Sequence, residues 1–360
     1  MSERSPCHVG SGQVMTVLGP IAADQLGVVL PHEHVLNDVR CWWHPPKEAE
    51  RQHLATSPVH IGILGELRQD PFVNLHNCAL DDEPLAMAEL SAFRHAGGQT
   101  VIDPTCRGIG RNPEALQRIA RATGLHLVMG AGYYLETSHP PEVAAMSVDA
   151  IADEIVEEAL DGVNGVRIGL IGEIGVSADF TAAERKSLRA AARAQARTGL
   201  PLMVHLPGWF RLGCEVLDMI EAEGGDAQHT ILCHMNPSFA DADYQRACAA
   251  RGAFVEYDMI GMDYFYADQG VQCPSDEEVA VAIDQLVADG FGHKLLLSQD
   301  VFLKTMLMAY GGNGYAHVLR HFVPRLRRHG LSEAAIRAML VDNPRAVFDA
   351  GFQATRGDGG

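Results

Sequence analysis

No apolar run in this sequence is longer than a buried strand requires, so no segment is suited to cross a bilayer as a helix. Basic residues are outnumbered, 28 Lys and Arg against 46 Asp and Glu, for a formal net charge of −18. A surface this acidic argues against nucleic acid and anionic membranes as partners. The eight cysteines (7, 41, 78, 106, 214, 233, 248 and 273) contain no Cys-x-x-Cys pair. They read as reduced thiols of a cytoplasmic protein. Met1–Val14 lacks the basic-then-apolar pattern of a secretory leader. A Gly-x-Ser-x-Gly elbow and a Gly-x-x-x-x-Gly-Lys phosphate loop are both missing. Gly130-Ala-Gly132 lacks the third glycine of a dinucleotide fingerprint. Aromatic residues make up only 6% of the chain.

What is present is a core-forming composition, 47% hydrophobic, and 17 histidines. Short β-branched or apolar runs alternate with helical patterns. The runs predict strands at Gly27–Pro31, Gln99–Asp103, His126–Ala131, Gly169–Glu173, Pro201–His205, Thr230–His234, Ala253–Tyr257 and Lys294–Ser298. Helices are expected at Leu85–His95, Pro113–Thr123, Val148–Leu160, Ala182–Thr198, Cys214–Glu223, Ala240–Arg251, Asp276–Asp289 and Gly314–Arg328. A last helix, Ser332–Val341, is expected to stop before Asn343-Pro344. Thr181-Ala-Ala-Glu184 is a capping box before the longest of them. Eight strand–helix units in one chain point to an α/β fold, a (β/α)8 barrel, rather than an open sheet. Residues 1–352 are expected to form one such domain, with 353–360 a frayed tail whose Arg356-Gly357-Asp358 is a chance match to an adhesion tripeptide. Two stretches exceed the bare barrel. Met15–Gly27 suggests an N-terminal β-hairpin closing the barrel bottom. Arg40–Pro84 is a long loop after the first strand, expected to carry a helix near Ile61–Gln69 and to cover the barrel mouth.

The histidines that end strands carry the chemistry. The first strand leads into Pro31-His32-Glu33-His34, where alternation puts His32 and His34 on one side and Glu33 on the other. His205 and His234 end the fifth and sixth strands, Glu173 the fourth, and Asp300 follows the eighth. Strand C-termini of a (β/α)8 barrel meet at one mouth, so four imidazoles and two carboxylates would meet there. Such ligands suit zinc, manganese or iron, and six exceed what one tetrahedral zinc takes, which favours two metals sharing a carboxylate. Singly, each is an ordinary strand-end residue. Cys233 beside His234 is not a catalytic pair, because neighbouring strand residues face opposite ways.

These residues, with Ser298-x-Asp300, resemble the phosphotriesterase family of the amidohydrolase superfamily. The likeness runs from about Gly12 to Ala350 and includes Ile102-Asp-Pro-Thr105, Gly108-Ile-Gly-Arg111 and Asp342-Asn-Pro344. Gly130-Ala-Gly-Tyr-Tyr134, Ile171-Gly-Glu-Ile-Gly175, Glu256-Tyr-Asp258 and Tyr310-Gly-Gly-Asn-Gly-Tyr315 are similar to its phosphotriesterase-related branch. That branch includes hydrolases of small N-acyl amino compounds such as N-acetyltaurine. The resemblance implies a hydrolase with two divalent ions per chain, zinc first, with Mn2+, Fe2+ or Co2+ as alternatives. It gives His32 and His34 to the buried ion, His205 and His234 to the exposed one, and Glu173 to the bridge. Phosphotriesterases and lactonases carry a carboxylated lysine at that bridge, whereas this branch has a glutamate. Asp300 would ligate the buried ion and shuttle the proton as a hydroxide held between the ions attacks a carbonyl. The resemblance further implies a small-molecule substrate and a homodimer. An N-acyl amide is the expected substrate, a lactone, carboxylic ester or phosphotriester the alternative, and an inactive metal-binding barrel a third reading.

Departures bear on substrate. Met259 stands where the lactonases carry an arginine, and Gln299 where a histidine usually precedes the final aspartate. Tyr134, Trp209, Met259 and Tyr264 are candidate substrate contacts. The neighbouring Trp42, Trp43, Phe210, Met262, Phe265 and Tyr266 either contact substrate or pack the loops together. Arg107 and Arg167 are possible anion anchors.

Overall fold

A computed structural model of the chain describes residues 12–349. Eight parallel strands run in sequence order around a nearly closed barrel. They are β1 (Val29–Leu30), β2 (Thr100–Asp103), β3 (His126–Ala131), β4 (Leu170–Gly175), β5 (Leu202–His205), β6 (Thr230–Leu232), β7 (Phe254–Tyr257) and β8 (Leu295–Leu297). The intervening helices lie outside, at Glu83–His95, Pro113–Thr123, Val148–Leu160, Ala182–Thr198, Gly213–Ala222, Ala242–Ala250 and Asp276–Ala288.

Each strand gives the barrel interior at least one residue: Val29, Ile102, Val128, Leu170, Met203, Ile231, Phe254 and Leu296 form one buried cluster. Their neighbours along the strands, such as Leu30, Leu202, Val204, Leu232 and Val255, belong to the larger core beneath the helices. Both faces of the sheet are therefore apolar, which is why the strands read as near-continuous hydrophobic runs. An antiparallel hairpin, Gln13–Thr16 with Gly19–Ala22, lies at the barrel bottom, where Val14 joins the interior cluster.

The seam between β8 and β1 is closed just past the ends of both strands. His32 N donates to Ser298 Oγ (3.1 Å), Asp300 N to the His32 carbonyl (3.2 Å), and His34 N to the Val301 carbonyl (3.2 Å). The buried Glu33 carboxylate accepts from Ser298 Oγ (2.8 Å), Gln299 N (2.9 Å), Gln299 Nε2 (3.1 Å) and Val301 N (2.9 Å). Glu33 thus faces away from its flanking histidines and laces the barrel shut. Gln299 belongs to the same seam, and its Oε1 accepts from Val318 N (2.8 Å).

The Arg40–Pro84 loop carries several short 3-10 turns and the helix Leu64–Gln69, within the expected Ile61–Gln69. Three expectations need correction. The strand β4 continues past Glu173 to Gly175, and β6 stops at Leu232, two residues before His234. The last helix does not stop before Asn343-Pro344. Glu333–Arg337 passes through a π-helical turn, Ala338–Asp342, into Asn343–Phe348. The wider turn resets the hydrogen-bond ladder so that Pro344, which lacks an N–H, falls in the first turn of the next segment. Pro324 is accommodated in the same way after the π-helical turn Val318–Phe322. The expected tail, 353–360, lies outside the described residues.

Candidate active site

Plain alternation along the strands does not deliver the site; local backbone devices do. In β4 the pairing with β5 slips, so that Gly172 and Glu173 together oppose Met203. Leu170 faces the interior and Ile171 the outer core. Without the bulge Glu173 would face outward with Ile171; the extra residue turns it inward. Gly172 is required there: its φ is +128°, and a Cβ would lie 2.4 Å from the Met203 carbonyl oxygen. In β6 Ile231 and Cys233 face inward, so an extended His234 would face out. A φ of +56° re-aims its ring into the mouth. Asp300 likewise sits in the left-handed region, at φ +48°.

The six residues expected to meet do meet. Glu173 is the hub: its oxygens lie 3.3 Å from His34 Nε2, 3.2 Å from His205 Nδ1, 3.6 Å from His234 Nε2 and 3.7 Å from His32 Nε2. No backbone N–H among the described residues caps this carboxylate; its neighbours are imidazoles. Asp300 Oδ1 lies 3.5 Å from His32 Nε2 and 3.4 Å from His34 Nε2. His205 Nδ1 and His234 Nε2 are 2.7 Å apart. Three clusters among the described residues have ligand atoms close enough to hold an ion: His32–His34–Asp300 and His32–Glu173–His234 at the mouth, and His32–Cys233–Glu256–Asp258 beneath them.

The chemistry of this donor set fits cations. His32 Nε2 and Asp300 Oδ1 are buried with no hydrogen-bond partner, and both belong to the His32–His34–Asp300 cluster. Buried polar atoms left this way are costly unless something completes them. Electrostatics tell the same story. Burial alone would lower the His34 pKa, but the Asp300 and Glu173 carboxylates outweigh it and hold it at about 9. Burial likewise opposes the charge on His234, yet Asp258, Glu173 and Asp300 raise it to about 10. The cluster gathers positive charge around its carboxylates, where protons and metal ions compete for the same lone pairs.

Behind the six stand residues that the reading of the strand ends did not pick out. Asp258 lies 3.1 Å from His234 Nδ1 and 3.2 Å from His32 Nδ1, and it accepts from the His234 backbone N–H (2.9 Å). Glu256 lies 3.2 Å from His32 Nδ1, and Thr105 Oγ1 2.8 Å from His34 Nδ1. These contacts fix the rings' orientation and tautomer, as metal-binding histidines require. Simple period-two counting from the inward Phe254 to Glu256 and Asp258 would have found two of them. Cys233 sits below His32, inside the barrel, in a group with Glu256 and Asp258.

Above the cluster opens a cavity of about 310 Å³. Tyr134, Trp209 and Met259 line it, with Trp42, Phe72, Tyr266 and Phe302. Tyr134 Oη lies 3.5 Å from His205 Nε2 and accepts from Trp42 Nε1 (3.2 Å). Tyr264 lies elsewhere: it lines a neighbouring cavity of about 220 Å³ and donates its hydroxyl to Thr305 Oγ1 (3.0 Å). On the short ribbon that follows, Tyr266 is the ring that faces the mouth. Arg107 is tied to Glu142 at the surface, and Arg167 Nε donates to the Ala159 carbonyl; neither lines the cavity. Buried Glu184 anchors the rim, accepting from Ser177 N (3.0 Å) and Ser177 Oγ (2.7 Å).

A ring of imidazoles and carboxylates at the C-terminal mouth of a (β/α)8 barrel defines the class, a hydrolase of the metal-dependent kind. Residues 12–348 match the model of the phosphotriesterase family, and the chain belongs to that family. An N-acetyltaurine hydrolase from Tetraodon nigroviridis is 37% identical over 341 residues, covering 93% of this chain and 97% of that protein. The crystal structure of a resiniferatoxin-binding protein from Rhodobacter sphaeroides superposes with a TM-score of 0.94 at 64% identity, covering 99% and 100% of the two chains. The phosphotriesterase homology protein from Escherichia coli, solved with phosphate in its active site, gives a TM-score of 0.75 at 29% identity over 90% of this chain and 99% of that one.

Proposed function

We propose that this chain is a two-metal hydrolase that cleaves a small N-acyl amide. The observation that carries this reading is the pair of buried, unpartnered ligand atoms, His32 Nε2 and Asp300 Oδ1, within a ring of four imidazoles around Glu173. His32, His34 and Asp300 would hold the inner ion, His205 and His234 the outer, and Glu173 would be shared; zinc suits this donor set best. Two such ions, when bound, would supply an ionised water and a Lewis acid for an acyl oxygen. Asp300, at the base of the cavity and 3.9 Å from His234 Nδ1, takes the proton of the attacking water and returns it to the departing nitrogen. Tyr134 Oη, beside His205, is placed to hydrogen-bond the substrate oxygen. Asp258, Glu256 and Thr105 hold the imidazoles in register for these roles.

The same groups would cleave a carboxylic ester, the second reading. Met259 lines the cavity where the lactonases' arginine is expected, which argues against lactones. The kinship of the family also supports a homodimer, and the charge and free thiols a cytoplasmic location. Turnover of N-acetyl amines, p-nitrophenyl esters, lactones and paraoxon by protein loaded with zinc or manganese tests the proposal. Amide cleavage abolished by chelation and restored by metal supports it. No turnover of any substrate in the fully loaded protein would leave a binding barrel instead.

A further inference from the structure

The mouth's charge and lining bear on which amide or ester enters. No lysine or arginine among the described residues lines the 310 Å³ cavity, and the only charged side chain at its outer rim is that of Asp179. Arginines on other segments are paired elsewhere: Arg107 with Glu142, Arg185 with Glu215 and Arg211 with Asp241. Arg68 lines the neighbouring cavity. In their place stands a continuous aromatic wall. Trp42 stacks on Phe72 (centroids 5.5 Å apart, planes at 16°), Phe72 stacks on Tyr266 (5.5 Å, 13°), and Trp209 meets Tyr266 edge to face (5.9 Å, 84°). The long loop after β1 supplies the first two rings and the loops after β5 and β7 the others, so the wall joins three separate segments over one site.

Resting on the two-metal reading, we infer that the chain selects uncharged amides or esters carrying an aryl or other bulky apolar group, and rejects N-acyl amino sulfonates and carboxylates. An anionic group seated against this wall, away from the imidazoles at the cavity base, would lose water and gain no lysine or arginine partner, whereas an aromatic group gains stacking area on rings already ordered by one another. The N-acetyltaurine hydrolases share the family, but an N-acetyltaurine sulfonate finds no anchor in this mouth.

Three amides with the same acyl group and primary-amine leaving group decide the matter: N-acetyl-2-phenylethylamine, N-acetyltaurine and N-acetylethylamine. The corresponding acetate esters are run in parallel. For metal-loaded protein kcat/KM should be at least ~100-fold higher for the phenyl compound than for the sulfonate. Trp209→Ala, at a half-buried rim position, should raise KM for the phenyl compound about tenfold and cut the preference for the phenyl over the ethyl compound by a similar factor. Gln269→Arg, at an exposed position lining the cavity, should bring the sulfonate up about tenfold. Calorimetry on metal-free protein should show the phenyl compound binding more tightly than the ethyl compound. Turnover of the ethyl compound or its ester with no phenyl preference, or with the sulfonate favoured, would overturn the inference and leave the hydrolase reading standing. No turnover of any amide or ester would overturn both.

Discussion

Replacing Glu173 with glutamine keeps the shape of the hub and removes its charge. The carboxylate lies between 3.2 and 3.7 Å from four imidazole nitrogens. In the metal-free protein, where burial is outweighed and His34 and His234 are held at about 9 and 10, the neutral amide takes away one counter-charge that both share, leaving Asp300 to His34 and Asp258 with Asp300 to His234. Breaking a buried ion pair from one side costs about 3–5 kcal/mol, so denaturant unfolding of the metal-free variant should show a loss of that size. In loaded protein the effect is on metal and rate. An amide cannot hold two cations together as a shared carboxylate does, so one ion should be lost or loosened, and a barrier raised by about 4 kcal/mol lowers kcat roughly a thousandfold. Elemental analysis, the rate and the unfolding curve are read on one preparation. Were Glu173 an ordinary strand-end carboxylate, glutamine would cost about 1 kcal/mol and leave the rate intact. Full activity with two ions bound in Glu173→Gln would show that Glu173 does not bridge the ions. Glu173→Lys extends the test: bicarbonate should partly restore activity if the lysine becomes carboxylated in the bridging position.

Four further outcomes are expected. Asp258→Asn removes the charge that orients His234 and His32, and metal affinity or rate should fall about 10–100-fold, measured by competition with a chelating dye and by kinetics. Glu33→Ala strips the acceptor from four seam hydrogen bonds and should cost about 3–5 kcal/mol in denaturant unfolding, with no change in metal stoichiometry in the folded fraction. Gly172→Ala places a Cβ against the Met203 carbonyl at a strained φ; it should cost about 3 kcal/mol and displace Glu173, so thermal stability and metal content should fall together. For metal-free protein, the raised pKa values of His34 and His234 contribute stability that is complete below the unfolded histidine value near ~6.5 and is lost as pH rises through about 9 to 10. Melting temperatures taken across that window should decline for the metal-free form and hold for the loaded form.

The alternation of apolar runs with helical patterns carried the barrel, because a strand buried on both faces has little choice of composition. The convergence of His32, His34, Glu173, His205, His234 and Asp300 was legible from strand-end positions alone. How they converge was not. The Gly172–Glu173 bulge and the left-handed backbone of His234 reverse the side that alternation gives, and such devices depend on the partner strand. Glu256 and Asp258 obey alternation from Phe254, and the signal was there to be counted. Tyr264 and Tyr266 show the opposite case: loop conformation, which spacing does not encode, sends one ring into a side cavity and the other to the mouth. The proline-tolerant π turns before Pro324 and Pro344 were hidden for a similar reason, since proline ordinarily ends a helix.

A two-metal site is tested by elemental analysis of protein purified with zinc or manganese supplied and then desalted. Two divalent ions per chain are expected, removed together with activity by chelators and regained with it on readdition. A stoichiometry near zero in protein whose turnover is indifferent to chelators would contradict it.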